Sequence, residues 1–76
     1  MIFERIRRLR DEYEYKQSYV ARAVNVTQRA YSYYETGQRM IPPQVLIALA
    51  LLYETSADYL LGLTDDPRPY RRGVSK

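Results

Sequence analysis

Between Val20 and Gly37 the chain's apolar rhythm stops and restarts within two turns, and few backbone paths fit that pattern. Val20, Ala21 and Val24 fall on one helical stripe, and Asn25 interrupts it. Thr27 then offers a side-chain oxygen to cap a second helix whose apolar stripe is Tyr31 and Tyr34. Two short helices meeting at Asn25, a helix-turn-helix, are the compact solution. A tight joint of this kind wants a residue with φ > 0, and Asn tolerates the left-handed region better than other non-Gly residues. Ala21 lies ten positions before Tyr31, where the two helices are expected to cross, and its small side chain permits close approach.

The flanking segments read as further helices. Ile2, Ile6, Leu9 and Tyr13 follow the i, i+4, i+7, i+11 pattern, with Arg5, Arg7, Arg8, Asp11 and Glu12 on the outer face, so helix one is expected over about Phe3–Tyr13. Glu14, Tyr15 and Lys16 connect it to helix two, about Gln17–Val24. Helix three, about Gln28–Thr36, is ended by Gly37. After a loop from Gln38 to Ile41, Pro42-Pro43 starts helix four, where a missing amide proton costs nothing. From Val45 to Tyr53 that helix is apolar on every side, which does not suit a solvated helix of a lone small domain. Ala48, Leu51 and their neighbours need cover, and a second copy of the chain is the simplest source. Ser56 should cap helix five, Ala57–Leu61, ended by Gly62, with Tyr59, Leu60 and Leu63 turned toward helices one and four. From Thr64 the composition is polar and broken by proline, so the expected organisation is a domain over 1–63 and a mobile tail over 64–76. There are no internal repeats.

A chain of 76 residues forms one domain and buries only about 60% of its unfolded surface. It has no cysteine and no histidine, which excludes disulfides, thiolate chemistry and the common zinc ligand sets. Helical packing must supply the core. No carboxylate pair has an obvious pocket, and Asp65-Asp66 reads as a solvated turn, so no catalytic residues, cofactor or metal are expected. The amino terminus lacks the apolar run of a signal peptide and no segment is long enough to span a bilayer, which points to the cytoplasm and to no membrane partner. Residues 1–41 carry eight Lys/Arg against five Asp/Glu, residues 42–64 none against two, and residues 65–76 four against two. The positive end therefore contains the helix-turn-helix, as a phosphate-facing surface would.

At these residues the chain resembles the phage-repressor and Cro type (XRE-like) of helix-turn-helix transcriptional regulator. The likeness runs from about Arg5 to Leu63. It rests on Gln17 at the start of the first motif helix, Ala21 at the crossing, Val26-Thr27 opening the recognition helix and Tyr34-Glu35-Thr36-Gly37 at its exit. Ile41-Pro42 and Ser56-Ala57-Asp58-Tyr59-Leu60-Leu61-Gly62 extend it. Asn25 replaces the family's usual Gly and Tyr31 its usual branched aliphatic residue. The resemblance implies an all-α, compact five-helix, lambda-repressor-like domain with the helix-turn-helix at helices two and three. It also implies that Arg10 and Glu35 pair, tying helix one to the end of helix three.

With helix three in a major groove, the face opposite Tyr31 and Tyr34 presents Gln28, Arg29, Ser32 and Tyr33, and these positions match the family's base-reading ones. Gln can bond an adenine edge in bidentate fashion and Arg reads guanine O6 and N7. Ser is permissive, and Tyr can press on a thymine methyl or bond a phosphate. Gln17 and Thr27 sit at helix amino termini, where amides and the dipole favour phosphate, and Lys16, Gln38 and Arg39 are further phosphate candidates. Nine tyrosines also raise the idea of a single-strand stacking platform, but Tyr13, Tyr31, Tyr34, Tyr53 and Tyr59 occupy apolar stripe positions and read as core with hydroxyls at the edge. The expected partners are double-stranded DNA and a second copy of the chain, with no small-molecule ligand evident. The competing reading is a helical protein-interaction module, antitoxin-like or regulator-binding, that works through the apolar surface of helices four and five.

Overall fold

The computed structural model describes residues 2–69. Among them it contains no strand and five helices: α1 (Ile2–Glu12), α2 (Gln17–Ala23), α3 (Gln28–Thr36), α4 (Pro43–Leu52) and α5 (Ala57–Leu61). All five end in the same left-handed turn. Glu14, Asn25, Gly37, Glu54 and Gly62 have φ of 57°, 66°, 78°, 51° and 80°. In each case the next residue's N–H reaches back to a carbonyl five positions earlier: Tyr15 to Arg10 (3.0 Å), Val26 to Ala21 (2.9 Å), Gln38 to Tyr33 (2.9 Å), Thr55 to Ala50 and Leu63 to Asp58 (both 2.8 Å). These bonds satisfy carbonyls that a helix end otherwise leaves open, and they turn the chain sharply enough for short helices to fold onto one another. Asn25 takes the conformation expected of it. Glu14 and Glu54 adopt the same one with full side chains, at a cost of about 1–2 kcal/mol each.

The starts are equally local. Thr27 Oγ1 accepts the Ala30 N–H at 3.1 Å and Ser56 Oγ accepts the Tyr59 N–H at 3.0 Å. Pro42 is not part of α4: with ψ of 153° it is extended, because the ring of Pro43 disfavours helical backbone in the residue before it. Helix α1 runs one residue earlier than the apolar pattern suggests, and α2 stops at Ala23 with Val24 in the cap.

The core draws on every helix. Ile6 and Leu9 come from α1, Val20 and Ala21 from α2, Tyr31 and Tyr34 from α3, Val45 and Leu49 from α4, and Leu60 from α5. Helix α2 packs on α3, α1 on α3 and α5, and α4 on α5. Three expectations need correction. Leu63 is 73% exposed, because the turn at Gly62 carries it outward. Tyr13 is half-exposed; its ring lies edge-on to Tyr53 with centroids 5.0 Å apart, and its hydroxyl donates to the Tyr53 carbonyl. Arg5 leaves the outer face of α1, where periodicity places it. Its guanidinium stacks over the Tyr59 ring at 4.3 Å and donates to the Tyr59 carbonyl at 2.9 Å, binding α1 to the end of α5.

Past α5, residues 64–69 are irregular, and Asp66 accepts the Arg68 backbone N–H and pairs with its guanidinium at 2.7 Å. That pairing draws the exposed Asp66 carboxyl down to about 2. The remainder of the expected tail, 70–76 with Tyr70, lies outside the described residues. No helix among the described residues is long and apolar enough to cross a membrane.

Candidate nucleic-acid interface

The exposed face of α3 is only as well defined as the seat beneath it. Tyr31 is wholly buried and Tyr34 nearly so, which fixes the inner side of the helix. Next to them Glu35 is buried as well. Arg10 reaches across from α1 to hold it with Nε on Oε2 and Nη2 on Oε1 (3.1 Å), while the Gln17 amide donates to Oε1 at 3.1 Å from α2. The third Arg10 nitrogen, Nη1, donates to the Tyr15 carbonyl at 3.0 Å, so one guanidinium joins α1, the connection after it and α3.

Burial acts to raise the Glu35 pKa, but the hydrogen bonds from Arg10 and Gln17 and the charge of the guanidinium outweigh it and hold the carboxyl below its ordinary value. The same hydrogen bonding, against a smaller desolvation, raises the Arg10 pKa. The Tyr31 hydroxyl lies beside this carboxylate and feels its charge without reaching hydrogen-bond geometry, and the Tyr53 hydroxyl is likewise enclosed and unpartnered. Burial first, then the adjacent negative charge, pushes both phenols far above the usual tyrosine range. The expectation of core tyrosines with hydroxyls at the edge therefore fails at Tyr31 and Tyr53, whose hydroxyls point into the protein.

On the other side of α3, Gln28 and Arg29 are exposed, and Ser32 and Tyr33 are half-buried. The exposed loop residue Arg39 returns to this face. Thr27, Arg29, Ala30, Tyr33 and Arg39 line one shallow open pocket of roughly 270 Å³. Within it Arg29 Nε donates to the Tyr33 hydroxyl at 3.2 Å, and the Arg39 guanidinium lies 4.9 Å from the Tyr33 ring centroid. The Thr27 oxygen that caps α3 keeps its hydroxyl proton free to donate outward. Lys16 and Gln38 are exposed. Gln17, a phosphate candidate, spends one amide proton on Glu35, leaving its backbone N–H and a second amide proton at the start of α2. Of the nine site candidates on the motif, the structure draws Thr27, Arg29, Tyr33 and Arg39 into contact with one pocket; Gln28 and Ser32 share the helix, Gln38 lies in the exposed loop after it, and Lys16 and Gln17 stand at the head of α2.

Sequence reasoning missed two contributors, Tyr15 and Arg5. Tyr15 lies in a connection, yet its ring packs against Tyr13, Tyr19 and Tyr53. Its aromatic character in an otherwise polar segment was the available signal. Along α4, Ala48 is half-buried and packs on the core, whereas Leu51 and Ile47, 52% and 58% exposed, face outward.

Five short helices with a capped α3 seated on Tyr31, Tyr34 and the Arg10–Glu35 pair define a helix-turn-helix protein. The chain belongs to the helix-turn-helix family, whose model matches residues 6–60. It is similar to YobD of Bacillus subtilis (strain 168), an uncharacterized HTH-type transcriptional regulator, with 38% identity over 69 residues. That match covers 91% of this chain and 62% of YobD, so the chain spans less than two thirds of its relative's length. Among solved structures it resembles the P22 c2 repressor protein in complex with the synthetic operator 9T, with a TM-score of 0.75 and 30% identity over 79% of this chain and 91% of that one.

Proposed function

We propose that the protein is a sequence-specific regulator of transcription, a repressor, that binds double-stranded DNA by laying α3 in the major groove. Two copies would occupy successive grooves of a pseudo-palindromic operator, with their recognition helices about 34 Å apart. The observation that carries this reading is the division of α3: Tyr31, Tyr34 and Glu35 are buried against the other helices, while Gln28, Arg29, Ser32 and Tyr33 are left on the opposite side with Arg39 beside them. In this reading those four side chains meet base edges. Thr27, Gln17, Lys16, Gln38 and Arg39 meet phosphates, and the protein has no catalytic task. The likeness to a repressor crystallised on its operator supports the partner. The second copy would cover the outward stripe of α4, Ile47 and Leu51, so the apolar surface that suggests an interaction module serves assembly instead.

Titration against random-sequence duplex DNA at two salt concentrations tests the partner. Contacts to several phosphates require a clear loss of affinity at the higher salt, since each contact releases counterions. Binding that ignores salt, or none, favours the interaction module. Arg29→Ala should relax preference at one base step, while Gln17→Ala should weaken binding to all sequences alike.

A further inference from the structure

We propose that Tyr33 is a positioning residue that yokes Arg29 and Arg39 into one reading unit, and that its own side chain is not a base reader. This rests on the proposed function and revises it at one residue, replacing the base contact of Tyr33 with the positioning of two arginines. The geometry points in one direction. The Tyr33 hydroxyl oxygen is occupied by Arg29 Nε at 3.2 Å, and one face of the ring is covered by the Arg39 guanidinium at 4.9 Å. The accepting side of the hydroxyl and one ring face are thus engaged by two arginines, while the O–H proton, like that of Thr27, stays free to reach a phosphate. Those arginines gain from this engagement. Arg29 with Nε engaged keeps both terminal nitrogens free as an end-on fork, the arrangement that bonds guanine O6 and N7. Arg39 belongs to the loop after α3, and the electron-rich ring face draws it to the wall of the pocket that Arg29 and Thr27 also line. Two cations held by one side chain, Arg39 over the ring and Arg29 at the hydroxyl, repel each other, so the pocket between them favours an electron-rich group such as a purine edge or a phosphate oxygen. Preorganising a long side chain removes part of the ordering cost of binding, an effect of about two- to tenfold per side chain.

The two halves of the yoke separate chemically. Tyr33→Phe removes the oxygen that Arg29 uses and keeps the ring that Arg39 uses; Tyr33→Leu removes both. In the free protein, the Arg39 side-chain protons should show ring-current shifts that survive in Tyr33→Phe and vanish in Tyr33→Leu. Each protein is then passed through selection from a random duplex pool and sequenced. Tyr33→Phe should weaken, by about two- to tenfold, preference at the same base pair that Arg29→Ala relaxes. Adding Tyr33→Phe to Arg29→Ala should have no further effect there. Tyr33→Leu should in addition reduce affinity as Arg39→Ala does. Loss of preference in Tyr33→Phe at a different base pair from Arg29→Ala would overturn the inference and make Tyr33 a reader in its own right, as would additive effects of the two substitutions or absent ring-current shifts in the wild type. A wild type that enriches no sequence overturns the DNA reading itself, and the yoke's role with it.

Discussion

Replacing Arg10 by methionine removes the charge that holds the seat of α3 while keeping most of the aliphatic stem. The carboxylate left behind is nearly sealed, since the Glu35 side chain is 3% exposed. Of its geometric donors only the Gln17 amide would remain. Removing one partner of a buried pair costs about 3–5 kcal/mol. At about 0.05–0.15 kcal/mol per residue, a domain of this length has roughly 4–11 kcal/mol in all. The variant therefore loses a large fraction of its stability, and at roughly 4–8 °C per kcal/mol its midpoint should fall by about 12–40 °C.

The pH dependence gives the sharper test. In the native protein the Glu35 pKa lies below its ordinary value of 4.5, so the pair's stabilisation is present above that value and is lost as pH falls through the lower folded value. Without Arg10 the main group that lowers it is gone and burial dominates, so the native carboxyl resists ionising. The penalty of Arg10→Met should then be largest at neutral pH and shrink as acid approaches the ordinary carboxylate range. Thermal unfolding followed by circular dichroism at neutral and mildly acidic pH measures both effects. The double substitution Arg10→Met with Glu35→Leu should recover most of the loss, because no unpaired charge remains. A penalty below about 1 kcal/mol, or one that does not change with pH, would refute the account of Glu35 as a buried ion held by Arg10.

Tyr31→Phe deletes an enclosed hydroxyl that lacks a partner and should stabilise the fold by about 1 kcal/mol in urea unfolding; destabilisation of that size would mean the hydroxyl bonds Glu35 after all. Because burial lifts the Tyr31 and Tyr53 phenols above the ordinary value of 10, stability should also decline as pH rises past that value, with tyrosinate absorbance from these two appearing only on unfolding. Gly37→Ala should cost about 1–2 kcal/mol, since φ is +78° and the new Cβ would meet the Phe3 ring at 3.2 Å, whereas Glu54→Gly at the matching turn should be neutral or gain up to about 1 kcal/mol by the same scan. Leu51→Glu or Ile47→Glu should give a folded monomer in sedimentation with weakened operator binding; Ala48→Glu should instead lower the melting temperature, because Ala48 packs on the core. A wild type that is monomeric at high concentration removes the proposed dimer.

What could be read from the chain and what could not divide along a physical line. Caps and turns depend on neighbouring residues, so Asn25, Thr27, Gly37, Ser56 and Gly62 disclose the helix ends directly. The phase of a helix is readable only when polar residues mark one side; α3 is marked and α4 is not, so the pattern points to Ala48 beside Leu51 where the structure turns Ile47 outward. Long side chains escape periodicity altogether, since Arg5 starts on a charged face and ends on the Tyr59 carbonyl. The consequence for function lies in α3. Successive helical residues are offset by about 100°, so a roll of one position would bury Ser32 in place of Tyr31 and turn the proposed reading face into the core. Tyr31 and Tyr34 alone define a broad apolar stripe. The carboxylate of Glu35, clamped from α1 and α2 at once, resists that roll because moving it would strand a buried charge. The interior ion pair and the exposed base-reading candidates are therefore set by a single constraint, and a mutation that loosens Glu35 should blur sequence preference before it abolishes binding.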